Sequence, residues 1–552
     1  MPPQLLDVGA ERRGSVVLKP PCGGKQFVEV PSRDQMSFEV RRIDDFVRPE
    51  AFVRLFDAIM DACDYSVFDA YYPGGGRPAF PPKLLCKLLV YAHCVSVRSA
   101  REVSRRLESD LNFMWLAHGL AVDHETLSDF RRRFRTQIKD VFRQLVGLGV
   151  VLGLASLEHI SLDGTKLAAR AAREVCDGKR LQAALQRLDE HIDQLLAEAA
   201  AADAAEDAQF GKRRGDEVPQ ELQQAQARRA KLQEALRALQ ASEQDHIALG
   251  DPEAPLQKTP DGTRPGYNGQ LAVDAETGFI VGAEVVTDQN DTEQFMPLAE
   301  QAIANAGQPP GEFAADSGYH SPQTLEALAA SELNGYIQQM PTGKDGHFGH
   351  DDFSYDEGTD SYTCPAGKAL TLRDMKHLRA TEYRRYRAVC TCKDCPRRAS
   401  CIGEKARYRE LLVAPHEPLL SAMRRKVATP EGQQALARRQ QTVERTFGTM
   451  KAQLGLRQLL LRGLEGARVE FTLCAMALNV RKLAQWLSTG GSLEQLREAG
   501  QQLAPLAHSL SPLRGLLGTL RRLMGGLRAA PDRGTALGDR TPGQALCPAC
   551  AA

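Results

Sequence analysis

The sequence predicts an α/β protein of the mixed-sheet kind, with helices flanking parallel and antiparallel strands. Three observations carry this expectation. From residue 157 the patterns run strand, inserted helices, hairpin, helix, strand, helix, strand. "GYNGQLAVDAETGFIVGAEVV" (266–286) reads as a β-hairpin, because two apolar, β-branched segments flank "DAETG". "SLDG" and "AADSG" each place an acid, Asp163 and Asp316, where an apolar strand should end. Asp and Gly end strands for turn geometry alone, so a chemical role needs a partner elsewhere.

Residues 1–36 lack periodicity and read as a flexible lead-in, and 37–153 form a helical domain. Within it, "PPKLLCKLLVYAHCV" starts on prolines suited to a first helical turn, and "SARE" (99–102) has capping-box form. Asp123 is expected to cap one long helix in which Phe130, Phe134, Ile138, Val141, Phe142 and Leu145 recur at spacings of three and four. Short helices ahead of a basic amphipathic helix make a helix-turn-helix-like unit. The first part of the core spans 154–345, with a strand over Leu157–Leu162 that ends at Asp163. It is interrupted at 178–248 by a helical hairpin, whose stripes are Leu181, Leu185, Leu188, Ile192, Leu195 and Leu222, Leu232, Leu236, Leu239, with "GKRRGDEVP" as the turn. A helix is expected near 292–306 and another over Pro322–Ala330, around the strands of "GEFAADSG" and "NGYIQQMP". A cysteine-rich insertion fills 346–415, core helices follow at 416–487, and 488–552 reads as a flexible tail in which "CPAC" (547–550) stands alone.

Bulk properties narrow the function classes. A chain of 552 residues is long enough for about three or four domains or subdomains. No run approaches the roughly 18–20 apolar residues of a membrane span, and "MPPQLLDVGAERR" lacks a signal peptide's apolar stretch, so a cytoplasmic location is expected. The thirteen cysteines there read as buried thiols or metal ligands rather than disulfides. Net charge is zero, yet Ser421 to Lys482 holds twelve Lys or Arg against four Glu, and "DFRRRFRTQIKDVFRQL" (129–145) presents Arg131, Arg132 and Arg133. Such runs are either solvated helix faces or phosphate contacts.

Asp163 and Asp316 are expected on neighbouring strands, where two carboxylates repel unless a cation lies between them. Their hard oxygens suit Mg²⁺ or Mn²⁺. A third acid, Glu444, lies in "QTVERTFGTMKAQLG" with Phe447, Met450 and Leu454 recurring around it, and is read as facing the packed side of its helix. Lys451 follows two turns later on nearly the same face.

At these positions the sequence resembles the DDE transposases of bacterial insertion sequences. The resemblance runs from about Phe38 to Leu483, through "GGRPAFPPKLLCKLLVYAH", "SLDGTKLAA", "GYNGQLAVD", "ADSGYHS" and "VERTFGTMK". Glu444 with Lys451 matches the Glu-x6-Lys part of that family's last motif. The family's preceding tyrosine is missing, with Leu436 and Ala437 in its region, and Arg438 or Arg439 stands for its arginine. The resemblance implies a ribonuclease H-like core, catalytic and metal-binding roles for Asp163, Asp316 and Glu444, and two Mg²⁺ or Mn²⁺ ions about 3.5–4 Å apart that drive in-line phosphoryl displacement. It further implies cleavage and strand transfer of double-stranded DNA at the element's terminal repeats, DNA contacts at Lys451, Arg439, Arg445, Arg131, Arg132 and Arg133, a homodimer holding two ends, and residence at the nucleoid. A non-catalytic DNA-binding derivative and a plain metal-dependent nuclease are the alternatives.

The cysteines form a second constellation. Cys392-x2-Cys395 has zinc-knuckle spacing, and Cys364 and Cys401 complete a tetrahedral set for a structural Zn²⁺. Cys390 is spare, or exchanges roles with Cys392, and reduced free thiols are the competing reading.

Overall fold

The structure is a computed structural model, and it describes residues 42–508 except 73–77, 171–174, 211–219, 242–244, 260–261, 332, 340–346, 379–380 and 404. The lead-in 1–36, the "GKRRGDEVP" turn, Cys547 and Cys550 therefore lie outside the described residues.

Six helices come first: α1 (Phe52–Asp61), α2 (Pro82–Cys94), α3 (Ala100–Ser109), α4 (Leu111–Leu116), α5 (His124–Arg133) and α6 (Arg135–Val151). The long helix expected after Asp123 is two helices. Asp123 does cap α5, accepting from the Thr126 amide, but Phe134 leaves helical geometry at φ −107°, ψ 37° and splits α5 from α6. Its ring is buried among Phe68, Tyr71, Tyr72 and Phe130, so aromatic packing wins over helix continuation. Ser99 occupies the N-cap of α3, but its side chain makes no capping bond.

The main sheet contains β1 (His159–Ala168), β4 (Leu256–Thr259), β5 (Gly262–Asp274), β6 (Ile280–Val286), β7 (Glu312–Ala315) and β8 (Gly335–Ile337). Its order is β6-β5-β1-β7-β8, with β4 on the early part of β5. β6, β5 and β1 pair antiparallel, whereas β1–β7 and β7–β8 are parallel. This is the expected mixed sheet, with the hairpin of 266–286 as its β5–β6 unit. The turn is fixed by Asp274, whose Oδ1 accepts from the Glu276 and Thr277 amides while Oδ2 accepts from Leu157 N and Ser156 Oγ. Between β1 and the rest of the sheet, β2 (Val175–Asp177) and β3 (His246–Ala248) pair at the base of two long helices, α7 (Gly178–Phe210) and α8 (Gln220–Ala241). Leu181, Leu232, Ala235 and Leu239 seal one end of this hairpin, and Ile192, Leu222 and Ala225 the next stretch.

One strand end differs from its expectation. Asp163 lies inside β1, opposite Leu271 of β5, because the antiparallel pairing with β5 continues to Ala168 after the parallel pairing with β7 has stopped.

Helices α9 (Phe295–Ala306) and α10 (Pro322–Ser331) flank β7 in sequence. A second, five-stranded antiparallel sheet follows, made of β9 (Ser354–Asp356), β10 (Ser361–Thr363), β11 (Ala369–Leu378), β12 (Thr381–Ala388) and β13 (Glu410–Val413) in the order β13-β12-β11-β10-β9. The chain then returns to the main body through α11 (Glu417–Ala428), α12 (Pro430–Ala452) and α13 (Leu464–Thr489). α13 is apolar on nearly all sides, as a helix enclosed by other elements must be. It covers the edge strand β6: the Asn479 carboxamide accepts from Ile280 N at 2.9 Å and donates to Ile280 O at 2.7 Å. An exposed strand edge is thereby closed. The expected flexible tail is helical at its start, since α14 (Leu493–His508) follows and buries Leu496 and Ala499 in the main core.

Candidate active site

The site begins with strand register. β1 and β7 pair as His159↔Glu312, Ile160↔Phe313 and Ser161↔Ala314. Asp163 and Asp316 each stand two residues beyond the last of these pairs, so continuing the register sets them side by side. Asp316 leaves β7 directly into a short helical turn, where its side chain accepts from Gly318 N. Asp163 accepts from its neighbour Gly164 N. Both carboxylates point to one cation: an Arg439 Nη lies 3.0 Å from Asp163 Oδ1 and 3.4 Å from Asp316 Oδ2.

Electrostatics follow from this placement. Burial pushes the Asp163 carboxyl up to about 6, the Arg439 charge pulls it back, and the Asp316 carboxylate pushes it up again. Carboxylates placed side by side compete for positive charge, and here an arginine supplies it. Arg439 is only 9% exposed and also donates to Leu162 O, so it is an internal ion-pair partner and is not available for the DNA contact expected of it.

Glu444 corrects a second expectation. Val443, Thr446, Phe447 and Met450 form the buried face of α12, and Glu444 is exposed beside them rather than packed. It projects into the open cleft of about 840 Å³ that Asp163 and Asp316 also line, along with Gln339, Arg424 and Gln440. Lys451 reaches back from α12 to β1, where its Nζ donates to Thr165 Oγ1 at 2.6 Å. Burial lowers its pKa while the Asp163 charge opposes that shift. Arg445 is exposed on the same helix. Among the described residues, no group of three or more His, Cys, Asp or Glu side chains is arranged to hold a metal ion. The two aspartates are joined; the glutamate shares their cleft without closing on them.

The basic helix of the N-terminal domain divides. Arg132 and Arg133 are exposed, Arg132 pairing with Asp129 and Arg133 lying over Tyr72 and Phe134. Arg131 turns inward, 8% exposed, and burial lowers its pKa against the opposing charge of Glu470. It is thereby removed from the surface on which DNA contact was expected.

In the second sheet, Cys364, Cys392, Cys395 and Cys401 line one small apolar cavity, while Cys390 is exposed and stands apart from it. Burial pushes the Cys401 thiol up, Arg409 draws it down, and the other three cysteines push it further up. The expected set therefore converges, with Cys392 rather than Cys390, but the thiols do not form a metal-ready group.

Two family models match the chain. Residues 41–133 match the transposase domain DUF772, and residues 363–484 match the transposase DDE domain. The second match contains Glu444, Lys451 and the four cysteines. Both matches support a transposase of the DDE kind. The first match covers α1 to α5, so the helical region too is similar to a transposase domain. Asp163 and Asp316 lie between the two matches, and their assignment rests on the register and the shared arginine. Comparison with curated proteins and with solved structures finds no match. Among the described residues no helix is long and apolar enough to cross a membrane.

Sequence reasoning missed Arg439 as a bridge between the acids, Arg424 in the cleft and Asp291 behind the aspartates. The signal for Arg439 is a cation one turn from Ala435 and one turn from Val443, on the buried face of α12.

Proposed function

We propose that this chain binds the ends of its own mobile element and cleaves and joins DNA strands with a divalent cation held by Asp163, Asp316 and Glu444. The observation that carries the reading is the pair of aspartates just beyond the β1–β7 pairing, which share one positive charge at a cleft that Glu444 also lines. The donor set fits Mg²⁺ or Mn²⁺, because all three side chains offer hard oxygens and the aspartates already gather around a cation. When bound, a pair of such ions supplies activation of the attacking oxygen and stabilisation of the leaving one. The chain's own residues do the rest. Asp163 and Asp316 hold fixed negative charge at the mouth of the sheet. Glu444 approaches from α12, and Arg439 withdraws from between the aspartates. Lys451, fixed beside Thr165, offers a positive charge next to Asp163 for a DNA phosphate, and Arg445, Arg132 and Arg133 are exposed cations for the DNA backbone. The main sheet, three antiparallel strands continued by two parallel ones, supports a ribonuclease H-like core. Two ends must be held together, so a homodimer on DNA is the working assembly.

Labelled element-end DNA with Mg²⁺ tests this. Cleavage followed by a joined product is the expected result. Cleavage without joining favours a plain nuclease, and binding without cleavage a non-catalytic derivative. Asp163→Asn is expected to bring cleavage to background with DNA binding kept; near-normal cutting by that variant contradicts the site.

We further propose that Cys364, Cys392, Cys395 and Cys401 take a structural Zn²⁺. Their convergence on one cavity, and the exclusion of Cys390 from it, support a four-thiolate shell.

A further inference from the structure

The segment between β6 and α9 carries an acid outside the proposed triad. Asp291 Oδ1 accepts from Asn268 Nδ2 at 2.5 Å and from Gln270 Nε2 at 2.6 Å. Both amides belong to buried residues of β5, 0% and 1% exposed, and they stand opposite Lys166 and Gly164 of β1. The other end of the Gln270 amide accepts from the hydroxyl of Tyr319, which is buried and follows Gly318 in the turn after Asp316. The same loop is tied on both sides. Lys166 Nζ donates to Gln289 O at 2.7 Å, and Thr324 Oγ1 of α10 donates to Thr292 O at 2.8 Å.

Glycine marks where this carboxylate sits. A Cβ at Gly164 would lie 2.6 Å from Asp291 Oδ1, and one at Gly318 would lie 3.3 Å from Asp291 Oδ2 and 3.0 Å from Asp316 Oδ1. Each proposed catalytic aspartate is thus followed within two residues by a glycine whose missing side chain makes room for Asp291. Space of this kind holds one arrangement, because closely packed groups have few alternatives.

We infer that Asp291 is a positioning residue: wedged between the Asp163 strand and the Asp316 turn, and anchored by Asn268 and Gln270, it fixes the separation at which the two aspartates share a cation. This rests on the reading of Asp163 and Asp316 given above. Asp291→Asn presents an amide N–H or a weaker oxygen to two amide donors and loosens the wedge without changing its size.

The test is single-turnover cleavage of element-end DNA over a Mg²⁺ titration, with thermal melting and end binding measured in parallel. Asp291→Asn is expected to raise the Mg²⁺ concentration for half-maximal cleavage about tenfold or more, with most of the rate restored at saturating Mg²⁺ and end binding unchanged. Asn268→Ala, which keeps the carboxylate and removes one anchor, is expected to move the midpoint in the same direction by less. It decides the matter if Asp291→Asn fails to fold. An unchanged midpoint overturns the inference, as does a loss of cleavage that saturating Mg²⁺ does not restore, which would make Asp291 a direct participant or a purely structural residue. Asp163→Asn separates the two levels: if it cuts normally the site reading fails, whereas a dead Asp163→Asn beside a normal Asp291→Asn leaves the site standing and removes the wedge.

Discussion

The two sheets of this molecule hold their special residues in opposite ways. In the main sheet, Asp163 and Asp316 come from adjacent parallel strands, which rest on a large shared core of sheet, α6, α9 and α13. In the β9–β13 sheet the four cysteines come from turns and a loop: Cys364 just after β10, the other three between β12 and β13. The core beneath them is small, built from Phe353, Tyr362, Leu370, Tyr386, Ile402, Leu411 and Val413 with Cys392 among them. A small core rarely stabilises a unit by itself, and a metal clamp is one common remedy. The contrast, on the proposed reading, is between aspartates positioned before any ion arrives and cysteines that would gain rigidity from one.

The largest expected effect that tests this contrast is metal removal. A strong chelator should strip Zn²⁺, whose binding in small structural sites is worth about 10–16 kcal/mol, and speed amide exchange in β10, β11 and β12 while β1, β5 and β7 stay protected. Protein purified without zinc, with no change on chelation, would erase the difference between the sheets. The converse perturbation is Asn479→Ala. It leaves the N–H and C=O of Ile280 without partners beneath α13 and should cost about 3 kcal/mol in the main body, seen in its thermal transition, with β9–β13 exchange unaltered.

A pH effect of similar size or smaller comes from His93 in the main body. His93 is buried in α2 with its ring Nδ1 2.7 Å from Leu89 O. Burial lowers its pKa to about 4 from an ordinary 6.5, helped by the Arg131 and Arg98 charges and opposed by the Leu89 bond. Below pH 6.5 the unfolded chain takes a proton that the folded chain refuses, so this contribution is intact above about 6.5 and is lost as pH falls toward 4. The loss is at most about 3 kcal/mol. His93→Gln should flatten the difference in urea midpoint between pH 7 and pH 5; an unchanged slope would show that His93 titrates normally.

Much of the main sheet was legible because periodicity and turn chemistry agree there. The β5–β6 hairpin announces itself through "DAETG" between β-branched runs, and the α7–α8 seam through leucines at helical spacing. Other features needed coordinates. Asp163 read as a strand end because its neighbour is glycine, yet β5 pairing carries the strand on to Ala168. Gly164 there serves the approach of Asp291 rather than a turn. The β9–β13 sheet went unread because three of its strands are short and the two long ones mix charged with apolar residues, as in "TLRDMKHL" and "EYRRYRA", where alternation is faint. Phe134 continued a helical stripe in the sequence but packs as the break between two helices. Arg131 and Arg439 looked like surface cations, since composition does not tell which arginine of a run turns inward. Ion-pair partners far along the chain decide that, Asp163 lying 276 residues before Arg439.

The central proposal is that Asp163, Asp316 and Glu444 gather divalent cations in place of an arginine. Its most direct test is a crystal structure of the protein bound to element-end DNA and Mn²⁺, with the ions located by anomalous scattering. The predicted result is manganese between Asp163 and Asp316, Glu444 drawn in from α12, and the Arg439 guanidinium moved off both carboxylates. Manganese bound elsewhere, with Arg439 still bridging the two aspartates at saturating ion, would contradict it.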